Sequence, residues 1–368
     1  MVEKIKILHV VGQMDRGGTE TLLMNLLRIL DRSRFQFDFV EQTQRRCDYD
    51  DEIEALGSQI YRCPTISIRN LKSYRTWWRS FFREHPEYKI VHGHSRGSAP
   101  IYLDEAKKAG CVTILHCHSN SYGKGLSGFL RFVWQIPLHW MADYNFACSK
   151  DAGISQFGKR AHFDVIKNGI LSKCFSWSTE TRASIRKEYG IENALVIGNV
   201  ARFEKPKNHI FLLDIFKEIK TVRQDAKLLL VGKGSMEKEI RSKASCYGML
   251  DDIIFAGVRE DVQKVLQAMD VFVFPSLYEG LPLALLEAQS TGLPCFISDT
   301  VSQEAVITDV VHVISLSASP RQWAQVILCG LIPARERRDR REEIIRAGYD
   351  IQTTAEKLYS FYSDVMKA

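Results

Sequence analysis

No apolar run in this 368-residue chain approaches the ~18 to 20 residues that a membrane-crossing helix requires. The nine cysteines, Cys47, Cys63, Cys111, Cys117, Cys148, Cys174, Cys246, Cys295 and Cys329, are odd in number, widely scattered and contain no C-x-x-C pair. That spacing argues against a disulfide framework or a cysteine-based zinc site, and reduced core thiols are expected. Short-period repeats and low-complexity tracts are also missing, which argues against a solenoid and against a disordered chain. At the amino terminus Lys4 and Lys6 flank only Ile7-Leu8-His9-Val10-Val11. This stretch fits a buried first strand better than the h-region of an export signal, so a cytoplasmic location is expected.

Apolar residues make up 45% of the chain, the proportion of an ordinary globular protein. The length exceeds what one hydrophobic core usually serves, so two domains are expected. Their charges differ. Residues 1–172 hold 24 Lys and Arg against 18 Asp and Glu, whereas residues 173–368 hold 26 against 26, so the net +6 belongs to the first half. Such an asymmetry suits contact with an anionic surface, a membrane included.

Strand-like apolar runs alternate with helical patterns in both halves, the mark of parallel sheets covered by helices on both faces. The expected fold class is α/β, with two doubly wound parallel-sheet domains. The first-half strands are expected at residues 5–11, 35–40, 90–94, 112–118, 144–149 and 163–167. Those of the second half are expected at 195–201, 227–231, 253–256, 271–274 and 295–298. Periodicity lapses around Asn168 to Trp177, which places a first domain at 1–172 and a second at 173–351. A terminal helix, about 352–368, is too isolated to build its own core and is expected to pack back on the first domain. The dense charge run Arg335 to Glu343 reads as a solvated helix face.

The richest chemistry lies in Glu279-Gly280-Leu281-Pro282-Leu283-Ala284-Leu285-Leu286-Glu287, directly after the strand Val271 to Phe274. Gly280 and Pro282 suit the start of a helix, whose unpaired first-turn N–H groups attract an anion such as phosphate. Glu279 would face that anion from the loop. Glu287 lies further along the helix, where a carboxylate can accept hydrogen bonds from neutral hydroxyls. Arg202 and Lys207 follow another strand, at the edge where ligands bind parallel sheets, and two cations there suit a diphosphate. Gly232-Lys233-Gly234 and Gly257-Val258 end the next two strands, and both loops are candidates for the edge of one nucleotide pocket. Gly17 and Gly18 open the first amphipathic helix and permit close approach of a ligand. They do not form the G-x-G-x-x-G of a nicotinamide site.

Two H-x-H pairs, His92-Gly93-His94 and His116-Cys117-His118, end successive strands. Alternate strand residues share a face, so each pair can chelate zinc or hydrogen-bond a ligand; His118 is the preferred functional histidine. The segment Arg75-Thr76-Trp77-Trp78-Arg79-Ser80-Phe81-Phe82-Arg83 mixes aromatic and basic residues at helical spacing. It reads equally as a membrane-surface helix and as a core helix with snorkelling arginines, and Gly128 to Met141, with Trp134 and Trp140, is a second such candidate.

Taken in order, Gly17-Gly18-Thr19-Glu20, His92-Gly93-His94-Ser95, Asn168-Gly169-Ile170, Arg202 with Lys207, Val231-Gly232-Lys233-Gly234, Glu279 with Glu287, and Gly292-Leu293-Pro294 resemble the family 4 glycosyltransferases over nearly the whole chain. The resemblance is nearest to the exopolysaccharide and capsule-type members. It implies the GT-B fold, two Rossmann-like domains facing a cleft, and a retaining, metal-independent transfer from a nucleotide-sugar, UDP-linked by family habit. Arg202 and Lys207 would bind the donor diphosphate, Glu287 the ribose, and Glu279 the transferred sugar. Gly280, Leu281, Pro282 and Leu283 would line the phosphate and sugar pocket, with the Gly17-Gly18 loop and His118 contributing from the first domain. The implied acceptor is a glycan, lipid-linked at the inner membrane face; no cofactor, metal or nucleic-acid partner is implied. A nucleotide-sugar epimerase or hydrolase of the same double fold, or a silent nucleotide-sugar-binding subunit, are the competing readings. The intact set Arg202, Lys207, Glu279 and Glu287 argues against degeneration.

Overall fold

The computed structural model describes residues 4–118 and 138–367. The chain separates into two compact units, Met1–Gly169 with Ile351–Ala368, and Ile170–Asp350.

In the first unit the strands are β1 (Ile5–Val11), β2 (Phe35–Glu41), β3 (Ile60–Arg62), β4 (Ile90–Gly93), β5 (Val112–Cys117), β6 (Tyr144–Ala147) and β7 (Asp164–Val165). They form one parallel sheet in the order β3-β2-β1-β4-β5-β6-β7. The second unit holds β8 (Val196–Val200), β9 (Lys227–Val231), β10 (Ile253–Gly257), β11 (Val271–Phe274), β12 (Cys295–Ser298) and β13 (Val311–Ile314). Their order is β10-β9-β8-β11-β12-β13, again all parallel. Central strands such as Val271-Phe272-Val273-Phe274 are buried along their whole length, as a sheet covered on both faces demands. Two strands escaped the sequence reading, β3 and β13. Both are edge strands, short and only partly buried, so neither has the continuous apolar run of a central strand.

The helix Leu71–Glu84 settles one open reading. Tyr74, Trp78, Phe81 and Phe82 are buried in the first unit's core. Arg75 Nη1 donates to Asp104 Oδ2 at 2.6 Å and Glu105 Oε1 at 2.9 Å, and Arg79 Nε donates to Glu105 Oε2 at 3.1 Å. The aromatic face therefore packs inward and two of its arginines are spent on a neighbouring helix, which excludes the membrane-surface reading for this segment. Of the second candidate segment, residues 128–137 lie outside the described residues; Trp140 is exposed. Among the described residues no helix is long and apolar enough to cross a membrane.

The terminal helix Ile351–Val365 belongs to the first unit. Its Tyr362 is fully buried, Tyr359 stacks on Phe35 with centroids 4.9 Å apart, and Thr354 Oγ1 donates to the Lys167 carbonyl at 3.0 Å. None of the nine cysteines is bonded, but Cys174, Cys246 and Cys329 are exposed, so the expectation of core thiols holds for six only.

The charge run at 335–343 is not the solvated face that its composition suggests. Arg337 is buried, with Nε donating to the Thr291 carbonyl at 2.8 Å, Nη1 to Met269 O at 3.2 Å and Nη2 to Leu266 O at 3.3 Å. Its guanidinium lies 4.1 Å from the Trp177 ring centroid. Five fixed donors on one planar group can close several helix-end carbonyls at once, which a lysine cannot do. Burial brings the Arg337 pKa down to about 9. Met269 O keeps a second donor in Arg182 Nη1 at 3.0 Å, so Arg337→Ala should orphan the buried Thr291 and Leu266 carbonyls and cost on the order of 3 kcal/mol. Chemical denaturation would show this as an earlier unfolding midpoint, with Arg337→Lys only partly restoring it.

Candidate active site

Strand order reverses between β8 and β11: β9 lies on one side of the pair and β12 on the other. Loops leaving the carboxyl ends of two such strands diverge and open a crevice there. The loop after β8 carries Arg202 and Lys207, and the loop after β11 carries Glu279, Gly280 and Leu281. Backbone and side-chain bonds stitch these loops together. Leu277 N donates to Pro206 O at 2.8 Å and Asn208 Nδ2 to Pro275 O at 3.0 Å. Asn208 has φ +56°, a left-handed conformation that asparagine tolerates better than most residues.

Lys207 Nζ is ion-paired with Glu279 Oε1 and sits 5.4 Å from the Phe274 ring centroid. Arg202 is exposed, and its guanidinium makes no hydrogen bond or ion pair among the described residues. One cation of the predicted pair is therefore uncommitted, and the other holds an acid from the opposite loop.

The helix Leu283–Ser290 begins three residues later than Gly280, with Pro282 as its N-cap at φ −74° rather than its first helical residue. A proline still fits there, because the cap position needs no N–H of its own. Leu283 is buried in the second unit's core, so only its backbone is available to a ligand. Gly280 is exposed, and a Cβ there would meet nothing within 4 Å. Glu287 lies one turn into the helix, half-buried, and its carboxyl makes no hydrogen bond or ion pair among the described residues. Burial without a partner pushes its pKa up to about 7.

The glycines after β9 meet a packing demand that the sequence does not announce. A Cβ on Gly232, which has φ +137°, would meet the Ala201 carbonyl oxygen at 2.0 Å, and one on Gly234 would meet that of Phe203 at 2.4 Å. Glycine is needed there because the loop carrying Arg202 lies directly against this backbone, so Gly232 and Gly234 position the cation loop. Val258 is exposed beyond β10. Gly17 caps the helix Gly18–Arg28 in the first unit, and Gly18 has open space around it.

The four strand-end histidines come together with a fifth, His9 of β1, which the sequence reading left inside an apolar run. His9 pairs in register with His92, and Gly93 with Leu115, which sets His94 level with His116. His94 Nδ1 is 2.8 Å from His118 Nε2 and His94 Nε2 is 3.1 Å from His9 Nδ1. His92 Nε2 is 3.3 Å from His116 Nδ1, and its Nδ1 is 2.6 Å from the Tyr362 hydroxyl. His9, His92 and His116 are fully buried, whereas His94 and His118 sit at the open end of the group. Burial pushes His9 and His118 down to about 3 and the other three well below their usual value, so the imidazoles are neutral at pH 7.

The single Asp-x-Asp pattern, Asp48-Tyr49-Asp50, is occupied internally: Asp50 is fully buried and ion-paired with Arg62, together with Glu41. Other residues that shape the site left little trace in the sequence. Ser298 and Thr300 hydroxyls both donate to the Ser276 carbonyl at 2.6 Å and fix the turn before Glu279.

Two parallel doubly wound units of this kind are the parts of the GT-B fold. Anabaena HepE, solved in complex with UDP and glucose, superposes with a TM-score of 0.81 at 17% identity, covering 98% of this chain and 100% of that one. The family model described as Glycosyltransferase Family 4 matches residues 16–170, and that described as Glycosyl transferases group 1 matches residues 194–331. A Bacillus subtilis protein named as the glycosyltransferase EpsF is 34% identical over 97% of this chain and 96% of its own length. An Escherichia coli UDP-Gal:alpha-D-GlcNAc-diphosphoundecaprenol alpha-1,3-galactosyltransferase is 27% identical over 80% of each chain. The chain belongs to glycosyltransferase family 4.

Glu287 generates a pH prediction. In the unfolded chain its carboxyl loses a proton near pH 4.5, but in the folded chain it does so near 7. Between those values the native state holds a proton that the unfolded state lacks, so its contribution to stability is full below about pH 4.5 and is lost as pH rises through 7. Glu287→Gln should remove this loss. The mutant-minus-wild-type difference in Tm should grow from pH 5 to pH 8; a difference that stays flat would contradict the assignment.

Proposed function

We propose that the chain transfers a sugar from a UDP-linked donor to a glycan acceptor, with retention of anomeric configuration and without a divalent metal. The observation that carries this reading is the set of side chains at the β8/β11 reversal: an uncommitted Arg202, the Lys207–Glu279 pair, and a Glu287 carboxyl with no protein partner. Arg202 and Lys207, with the amino end of the helix Leu283–Ser290, would neutralise the departing diphosphate. Glu287 would accept the ribose hydroxyls. Donor binding would free Glu279 from Lys207 as the diphosphate takes its place, leaving the carboxylate to meet the transferred sugar. Backbone at Gly280, Leu281, Pro282 and Leu283 would line the same pocket.

In this mechanism the acceptor hydroxyl attacks on the side from which the diphosphate leaves, its proton passing to the leaving phosphate. Arg202 and Lys207 supply the positive charge that a metal supplies elsewhere, and the internal pairing of Asp50 leaves the Asp-x-Asp pattern with other work. HepE was solved with UDP, and the E. coli relative is named for a UDP-sugar and a diphosphoundecaprenol acceptor, which supports a UDP donor and a lipid-linked acceptor here. A Staphylococcus aureus relative named as a capsular polysaccharide biosynthesis glycosyltransferase supports a place in surface polysaccharide biosynthesis. The basic first half suits work at the inner, anionic face of the plasma membrane.

With EDTA present, a UDP-sugar should raise Tm more than GDP- or ADP-sugars. Arg202→Ala should lower kcat by roughly 100-fold, the scale of losing one transition-state charge contact. Glu287→Ala should instead weaken donor binding about 10-fold or more. UDP release that proceeds equally without acceptor would favour the hydrolase reading, and near-normal kinetics in both variants would overturn the site.

A further inference from the structure

Half of the ten histidines in this chain, His9, His92, His94, His116 and His118, meet at the carboxyl ends of β1, β4 and β5. Strand order in the first unit reverses between β1 and β4, so the group occupies that unit's own crevice position. Hydrogen bonding among the imidazoles is incomplete. His9–His94–His118 form one chain of N···N contacts and Tyr362–His92–His116 another. The free ends, His9 Nε2, His118 Nδ1 and His116 Nε2, are buried and have no partner among the described residues. A neutral imidazole has one N–H and one lone pair, so the His9–His94–His118 chain leaves one of each unused at its ends. His94, His116 and His118 can each present one ring nitrogen within 4.8 Å of the others.

We propose that His94, His116 and His118 form a binding site for a borderline divalent transition ion of the Zn2+ type. Three imidazoles without a carboxylate suit zinc and its neighbours and disfavour Mg2+ or Ca2+. The ligand atoms are His94 Nδ1, His116 Nε2 and His118 Nε2, with a fourth position left open at the more exposed end where His94 and His118 lie. That choice leaves each ligand's other nitrogen for an orienting partner. His94 Nε2 faces His9, and His116 Nδ1 faces His92, which is itself held by Tyr362. The Asn168 side chain lies beside His118 as the third such partner. The inference goes beyond the donor-site reading and does not need it, because its readout is the metal itself.

The test uses the full chain stripped with chelator and titrated with Zn2+ and, as a spectroscopic probe, Co2+. One equivalent should bind, with the intense visible absorption of four-coordinate Co2+. His94→Gln and His118→Gln should each lower affinity by at least about tenfold, while His162→Gln, an exposed histidine outside the group, should not. His94 and His118 are chosen over the fully buried His116 so that folding is preserved, and circular dichroism confirms it. No binding to the wild-type chain, or affinity retained in either ligand variant, would overturn the site.

Discussion

The Lys207–Glu279 ion pair is the interaction on which the second unit's site depends. It joins the loop after β8 to the loop after β11, at the point where strand order reverses. A charge pair at a crevice is only modestly stabilising when water can reach it, so its main effect here is placement. It keeps an ammonium and a carboxylate together, and in the proposed mechanism a diphosphate would offer the ammonium a more highly charged partner. The surrounding bonds, Leu277 to Pro206 and Asn208 to Pro275, keep the two loops in register around it. Beneath them Gly232 and Gly234 let the cation-bearing loop lie directly on the end of β9.

Charge at this site is arranged by what is left unpaired as much as by what is paired. Arg202 is exposed without an ion-pair partner, and Glu287 is half-buried without one. An unpartnered carboxyl pushed up to about 7 is a destabilising feature in the free protein, and such features concentrate where a ligand completes them. The histidine group of the first unit follows the same logic, with three buried ring nitrogens unpaired.

Much of this was legible in the sequence because parallel strands write themselves as apolar runs. The central strands and the helix Thr179–Tyr189 were readable, and Glu279 and Glu287 announced themselves by lying between a strand and a helix. What stayed hidden depends on distance in space. His9 sits 83 residues from His92 in sequence and gives no local sign that the two share a sheet register. Arg337 looked like one more surface charge because nothing near it in sequence names Thr291, Met269 or Leu266 as its acceptors. The helix Leu71–Glu84 was ambiguous for a related reason: the core that takes its aromatic face and the Asp104 and Glu105 that pair its arginines lie on other elements. Edge strands β3 and β13 were missed because partial exposure relaxes the demand for apolar residues.

The most direct measurement of the central claim is hydrogen exchange of the chain with and without UDP, in EDTA. If the β8/β11 reversal holds the nucleotide diphosphate without metal, UDP should slow exchange in residues 198–208 and 277–287 and leave the distant edge strand β13 unchanged. Protection that appears only when a divalent ion is added, or that falls outside both loops, would contradict the account.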